Sequence, residues 1–372
     1  MAEPLKTFFS ASLVKRLAAD IRKVHPAFPD KDFVKQASAG LEELELLGRG
    51  KHIAAALGAH LPPSYPKAVK VLLASLGPEH ATDELVGAGM APFYYLPHVI
   101  FVAERGLSHF DLSLRAQYEL TKRFSAEFSM RAYIAHDPEI TFEMLSKWSQ
   151  DPNAHVRRLV SECTRLRLPW AERVAWLDAN PERVLELLEL LKDDPASVVR
   201  RSVANNLNDL GKVRLDLLVK TCARWAKGAP AERKALIEHA LRSAVKRGEP
   251  AVLEILGYAG QALVALEAVR FDPERVTVGK SVSVSFALRS QTQKAQSLLV
   301  DLAVHFVKAN GKTAPKVFKL KRVELPAKAS VELKTTVSLA VHTTRKPYPG
   351  EHRVEVVVNG QRLRAGSFYV KD

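Results

Sequence analysis

The chain has 372 residues, 47% hydrophobic and 26% charged, enough for two or three ordinary globular domains. No apolar run approaches the ~18 residues that a membrane helix needs, and the opening Met-Ala-Glu-Pro-Leu-Lys lacks the apolar core of a signal peptide. Two cysteines, Cys163 and Cys222, cannot build a four-thiolate metal site and argue against a secreted disulfide scaffold, so a cytoplasmic protein without membrane association is expected.

The net charge of +14 is unevenly placed. From Ala265 to Asp372 there are 19 Lys and Arg against 9 Asp and Glu, a net of +10. A small module this basic suits nucleic acid or an anionic surface, with solubility alone as the other reading.

Residues 1 to about 264 read as helix after helix. Leu41-Glu-Glu-Leu-Glu-Leu-Leu47 and Val184-Leu-Glu-Leu-Leu-Glu-Leu-Leu191 have helical apolar spacing. Pro62-Pro63 and Gly77-Pro78 punctuate the early part. Asp137-Pro138, Asp151-Pro152, Asn180-Pro181 and Asp194-Pro195 each read as an N-cap followed by proline at the first helical position. One segment is duplicated: Asp151-Pro-Asn-Ala-His-Val-Arg-Arg-Leu-Val160 recurs as Asp194-Pro-Ala-Ser-Val-Val-Arg-Arg-Ser-Val203, a spacing of 43. That period is the mark of stacked helical hairpins of the HEAT type, which curve and present a concave face.

The pattern changes near Gly257-Tyr-Ala-Gly260. Val276-Thr-Val, Ser281–Phe286, Leu302–Val307, Val331–Val337 and Val354–Val358 alternate or run β-branched. Asn310-Gly311 and Asn359-Gly360 are strong hairpin signals. About seven strands in roughly 105 residues predict an immunoglobulin-like sandwich without the usual disulfide. The predicted fold is therefore multidomain: an all-α HEAT-like repeat solenoid over 1–260, then an all-β immunoglobulin-like sandwich over 265–372.

Two carboxylates stand in odd places. Arg158, Glu162 and Arg165 share one helix face. Glu162 lies in the last turn before Leu168-Pro169, where the helix dipole disfavours an anion by ~0.3–1 kcal/mol. Asp209 repeats the anomaly just before the expected C-cap Gly211. Asn205 is the repeat equivalent of Glu162, and Asp209 lies one turn beyond it on the same face. Stacked helices thus bring two acids towards one region. Trp170 follows the first acid and could hold a cation over its π face or simply join the core. Glu162 could equally serve its flanking arginines as a structural partner.

The stretch Arg157-Arg-Leu-Val-Ser-Glu-Cys-Thr-Arg-Leu-Arg-Leu-Pro-Trp170, with Phe128-Ser-Met-Arg-Ala-Tyr-Ile-Ala-His-Asp-Pro138 upstream, resembles the AlkC-type DNA glycosylases, the HEAT-like-repeat alkylpurine glycosylases. The resemblance covers most of residues 1–260, and one branch of that family carries an immunoglobulin-like domain. The chain departs from the family pattern at Cys163, where glycine is usual, and at Leu166, where proline is usual. The resemblance implies excision of 3-methyladenine and 3-methylcytosine from DNA by a monofunctional enzyme acting as a monomer, without full base flipping. It implies that Glu162 and Asp209 stabilise an oxocarbenium-like sugar and position water, with Trp170 stacked on the lesion nucleotide and Glu127 as a third acid. Arg157, Arg158, Arg165, Arg200 and Arg201 would contact phosphates, or else form a solvated repeat face. Lys312, Arg345 and Lys346 lie on sandwich loops that would grip double-stranded DNA, or else guard sheet edges.

No Walker loop, zinc-protease or deaminase signature is present, and no cofactor or metal is expected. His52 with His60, and His98 with His109, read as helix-surface residues. The rival to an enzyme is a HEAT scaffold that binds DNA or protein without cutting.

Overall fold

The computed structural model describes residues 4–80, 89–258, 260–341 and 346–371. The chain forms two compact units: Met1–Arg214 with Ala229–Ala240, and Leu215–Gly228 with Leu241–Asp372. The last helices of the α-region therefore group with the sheets.

The first unit contains α1 (Ala11–Val24), α2 (Asp30–Ser38), α3 (Leu46–His60), α4 (Tyr65–Ala74), α5 (Leu96–Arg105) and α6 (Phe110–Thr121). It continues with α7 (Met130–His136), α8 (Pro138–Trp148), α9 (Ala154–Cys163), α10 (Ala175–Ala179), α11 (Pro181–Leu191) and α12 (Ser197–Leu210). Beyond it lie α13 (Leu215–Ala226), α14 (Ala231–Arg247) and α15 (Pro250–Ile255), with α14 shared between the units.

The 43-residue repeat is physical: α9 packs directly on α12, its counterpart, and α11 packs on both. Val156, Leu159, Val160 and Cys163 form the buried stripe of α9, and Val199, Val203 and Leu207 that of α12. Asn206, the repeat equivalent of Cys163, is buried between them. It donates to the Ser161 carbonyl at 2.8 Å and Thr164 Oγ1 at 3.0 Å, fixing the C-terminal end of α9.

The expected caps hold in part. Asp137 caps α8 by accepting from the Ile140 amide. Asp151 and Asp194 do not cap. Each accepts from the amide two residues on, in an Asx turn, and the helices begin two residues later than the Asp-Pro signal implies. Asn153 takes over as the cap of α9. Asn180 stands at the N-cap of α11 without a capping hydrogen bond. Leu41–Leu47 is not one helix: a short 3-10 turn over Leu41–Glu43 ends at Leu44 in an extended conformation, and α3 starts at Leu46. Gly211 follows α12 with a right-handed φ of −67°, so no left-handed cap is needed there. His98 is buried rather than a helix-surface residue, and burial lowers its pKa to about 4.

The sandwich has eight strands among the described residues, one more than the pattern suggests: β1 (Val264–Asp272), β2 (Arg275–Thr277), β3 (Ser281–Ser290), β4 (Gln296–Val307), β5 (Thr313–Leu325), β6 (Ser330–Ser338), β7 (Gly350–Val358) and β8 (Gln361–Lys371). One sheet runs β1-β3-β6, the other β2-β8-β7-β4-β5. Every other residue of β3, β4 and β7 points inward, giving a core of Val282, Val284, Phe286, Val300, Leu302, Val304, Val354 and Val356. Asn359 and Gly360 both have positive φ, the type I′ turn that a two-residue hairpin prefers. Asn310-Gly311 closes a longer hairpin, with Gly311 left-handed and the Lys308 amide bonded to the Lys312 carbonyl.

Candidate active site

Two of the three candidate acids, Glu127 and Glu162, line a cavity of about 380 Å³ in the first unit, within the ~300–1,000 Å³ of ordinary ligand pockets. One face of α9 supplies His155, Arg158 and Glu162, residues i, i+3 and i+7. The loop beyond α9 supplies Arg165, Pro169 and Trp170, and α12 supplies Asn205. The turn after α6 contributes Phe124, Ser125, Glu127 and Phe128, and His80 and Phe93 complete the wall.

Charge runs through this site as an alternating chain. Arg158 Nη2 lies 3.4 Å from Glu127 Oε2 and 3.5 Å from Glu162 Oε1. Arg165 Nη1 lies 3.0 Å from Glu162 Oε2, while its Nε is 2.8 Å from Asp209 Oδ2. Lys212 Nζ closes the chain 2.7 Å from Asp209 Oδ1. Three acids and three bases thus balance. Glu162 is 4% exposed and Asp209 1%. Burying such a chain costs several kcal/mol of desolvation per ion, so its presence needs a reason beyond stability.

Burial pushes the Glu127 carboxyl above the usual range; Arg158 pulls the other way, and Glu162 adds to the rise. Burial alone would lower Arg165, but Glu162 and Asp209 together hold it above its ordinary value. His80 is lowered by burial and by its neighbours His155, Arg123 and Arg158; its ring centre lies 4.5 Å from that of His155.

Trp170 is 62% exposed at the cavity edge with a φ of +66°. The Ala171 amide bonds the Leu168 carbonyl at 3.3 Å, so Leu168-Pro-Trp-Ala171 is a type II turn with tryptophan where glycine is favoured. An L-residue there costs ~1–2 kcal/mol.

The other expected site residues separate from this group. Asp209 sits behind the cavity, reached through Arg165, and its repeat neighbour Asn205 lines the wall. Arg157 forms a two-pronged pair with the buried Asp194, at 2.6 and 2.9 Å, and bonds the Asp151 and Pro152 carbonyls. Arg200 makes the equivalent carbonyl contacts to Asp194 and Pro195. Arg201 is exposed and borders a separate cleft with Arg200 and His239. In the second unit, Lys312 is exposed on its hairpin, and Lys346 is exposed with Nζ 5.5 Å from the Tyr348 ring centre. Arg345 lies outside the described residues. Sequence reading misses His80, His155, Ser125 and Asn206; only His155 carries a signal, lying one turn before Arg158 on the same helix face. Among the described residues no helix is long and apolar enough to cross a membrane.

Residues 265–372 match the family model described as the C-terminal Ig-like domain of the uncharacterised protein YhaZ. The chain is 32% identical over 364 residues to "Uncharacterized protein YhaZ" of Bacillus subtilis (strain 168), with 96% of each chain covered. It superposes on the alkylpurine DNA glycosylase AlkC of Pseudomonas fluorescens, solved bound to DNA containing an abasic site analog, with a TM-score of 0.91, 35% identity and 100% of both chains covered.

Proposed function

Since the chain belongs to the AlkC-type family of HEAT-like-repeat alkylpurine DNA glycosylases, in the branch with a C-terminal immunoglobulin-like domain, we propose that it removes N3-alkylated bases, 3-methyladenine and 3-methylcytosine, from double-stranded DNA. The observation that carries this reading is the cavity lined together by Glu127, Glu162 and the exposed Trp170.

N3-methylation makes the base cationic. The bond from C1′ to the base then breaks with both electrons going to the base, which leaves neutral and needs no proton. The sugar is left with oxocarbenium character. Water adds to C1′ and gives up a proton, completing an abasic site. A carboxylate can favour the sugar cation and take that proton. At ~4 Å and an effective dielectric of ~20 the attraction is about 4 kcal/mol, or about a thousandfold in rate. Arg158 and Arg165 repel the same cation, so a carboxylate oxygen must face the sugar more closely than either guanidinium. Glu162 is the principal acid in this scheme, Glu127 a second, and Asp209 acts with them through Arg165. Trp170 stacks against the lesion nucleotide, its face attracting the cationic base. Glu162 sits on the last turn of α9 and would approach the sugar, so the base need not be turned fully out of the duplex. Water, not an amine, is the nucleophile, which makes the enzyme monofunctional. The protein acts as a cytoplasmic monomer and uses no cofactor or metal.

The test is release of 3-methyladenine and 3-methylcytosine from alkylated duplex DNA by wild type, Glu162→Gln and Asp209→Asn under single-turnover conditions. Wild type should release base and both variants should fall by about two to three orders of magnitude. Equal release by all three would remove the catalytic assignment. A wild type that binds DNA and releases nothing would leave a scaffold.

A further inference from the structure

We propose that Arg131 is the positioning residue of this site, a clamp that holds the loop carrying Trp170 against the acids; the inference rests on the glycosylase reading above. Arg131 lies on α7 and is 5% exposed. Among the described residues no carboxylate forms an ion pair with it, though Asp178 lies near enough to favour its charge. Its guanidinium instead meets three backbone carbonyls of one segment: Nη1 donates to Cys163 at 3.1 Å and to Arg165 at 2.8 Å, and Nε donates to Glu172 at 3.0 Å.

Those carbonyls bracket the functional stretch. Cys163 ends α9 directly after Glu162, and Arg165 is the base shared by Glu162 and Asp209. Glu172 lies two residues past Trp170. One buried cation therefore ties both ends of the loop whose tip holds an aromatic residue at positive φ. A strained turn persists only where its surroundings over-determine it. A cation at a helix C-terminus is favoured by the dipole, which helps to explain an arginine buried without an ion-paired acid. The guanidinium reaches all three carbonyls because it is a planar fork; a lysine ammonium is a single point and cannot span them. Trp170 also borders a second cavity, of about 350 Å³, to which Leu96 and Ile100 contribute. An unclamped loop would let the indole turn away from the acids into that space.

The experiment uses the full chain labelled with 5-fluorotryptophan and compares wild type, Arg131→Lys, Trp170→Ala and the double variant. The Trp170 resonance is assigned by its loss in Trp170→Ala. Arg131→Lys keeps the charge and is chosen to fold, as checked by the unchanged resonances of the other tryptophans; Arg131→Gln is the second variant if it does not. Arg131→Lys should shift or broaden the Trp170 resonance without activity being involved. It should slow single-turnover base release about tenfold while changing the Kd for abasic duplex DNA less than about twofold, as loss of positioning does. In the Trp170→Ala background the same change should cost less than about twofold, because the residues act as a unit. An unmoved Trp170 resonance, or an equal rate loss in both backgrounds, overturns the clamp. Absence of base release by wild type would instead sink the glycosylase reading, and the resonance would then decide the clamp on its own.

Discussion

Arg165 meets Asp209 through two nitrogens on one oxygen: Nε and Nη2 both lie 2.8 Å from Oδ2. The third nitrogen of the same guanidinium holds Glu162. Removing the Asp209 charge leaves Arg165 to Glu162 alone, which draws the guanidinium closer to the carboxylate proposed to face the sugar. Asp209→Asn should therefore act through Glu162. Each single substitution should lower single-turnover base release about a hundredfold or more, and the double variant should be no more than about tenfold worse than the poorer single. Fully multiplicative losses would mean that the two acids work independently.

Glu127 offers a pH signature. Its carboxyl is raised, first by burial, against the pull of Arg158. A raised acid takes up a proton when folded at a pH where the unfolded chain has lost it. The stability it contributes is full below the unfolded value and is lost as pH rises through the folded one. Glu127→Gln has no charge to desolvate, so its stability relative to wild type should grow with pH above the ordinary glutamate range of about 4.3 and then level off. Base release by wild type should climb across the same window as the carboxylate forms, and the variant should lack that limb. Parallel pH profiles for the two proteins would exclude a titrating Glu127.

Arg157, expected on phosphate, pairs with Asp194. Both side chains are largely buried, and breaking such a pair from one side costs about 3–5 kcal/mol. Arg157→Met should lower the first unfolding transition in calorimetry substantially while base release per folded molecule stays within about twofold. A protein that melts normally but binds DNA poorly would return Arg157 to the phosphates.

These cases mark what the sequence can carry. The helices, the 43-residue stacking and most strands are legible because burial imposes periods of 3.6 and 2 on neighbouring residues. Glu162 and Trp170 are legible through a family motif, and the offset of Asp209 through repeat alignment. Arg131, His80 and Asn206 leave no local trace, since their contacts span 32 or more residues for Arg131 and 42 for Asn206 with Thr164. Asp137-Pro138 marks both the start and the cap of α8, whereas Asp151-Pro152 and Asp194-Pro195 mark helix starts only to within two residues, because an Asx turn satisfies each of those aspartates first. The turn at Trp170 is hidden because no glycine announces it.

Lys312 and Lys346 carry a separable prediction for the basic second unit. Replacing each with glutamine should weaken binding evenly across DNA sequences and reduce the salt slope of log K by about 0.9 for each phosphate no longer neutralised. Point changes are preferable to deleting residues 265–372, because α13 and α15 belong to the same compact unit as the sheets. Within it, the Gly360 turn lies so close to Gly248 that a Cβ on either would fall 3.1 Å from the other. An unchanged slope in the double variant would remove these two lysines from the interface.

Trp170 should show stability and activity moving in opposite directions. At φ +66° glycine is the relaxed residue, and tryptophan accepts the strain to place an exposed ring at the cavity edge. Trp170→Gly removes that strain but also the ring, whose exposure means that little burial is forfeited. The variant should melt as high as wild type or up to about 1 kcal/mol more stably, while single-turnover base release falls about tenfold or more as the cation–π and stacking interaction disappears. Trp170→Ala, which keeps the strain and lacks the ring, should fall as far in rate and gain nothing in stability. If both variants were less stable than wild type by equal amounts, the strain at this turn would not be the cost that the ring imposes.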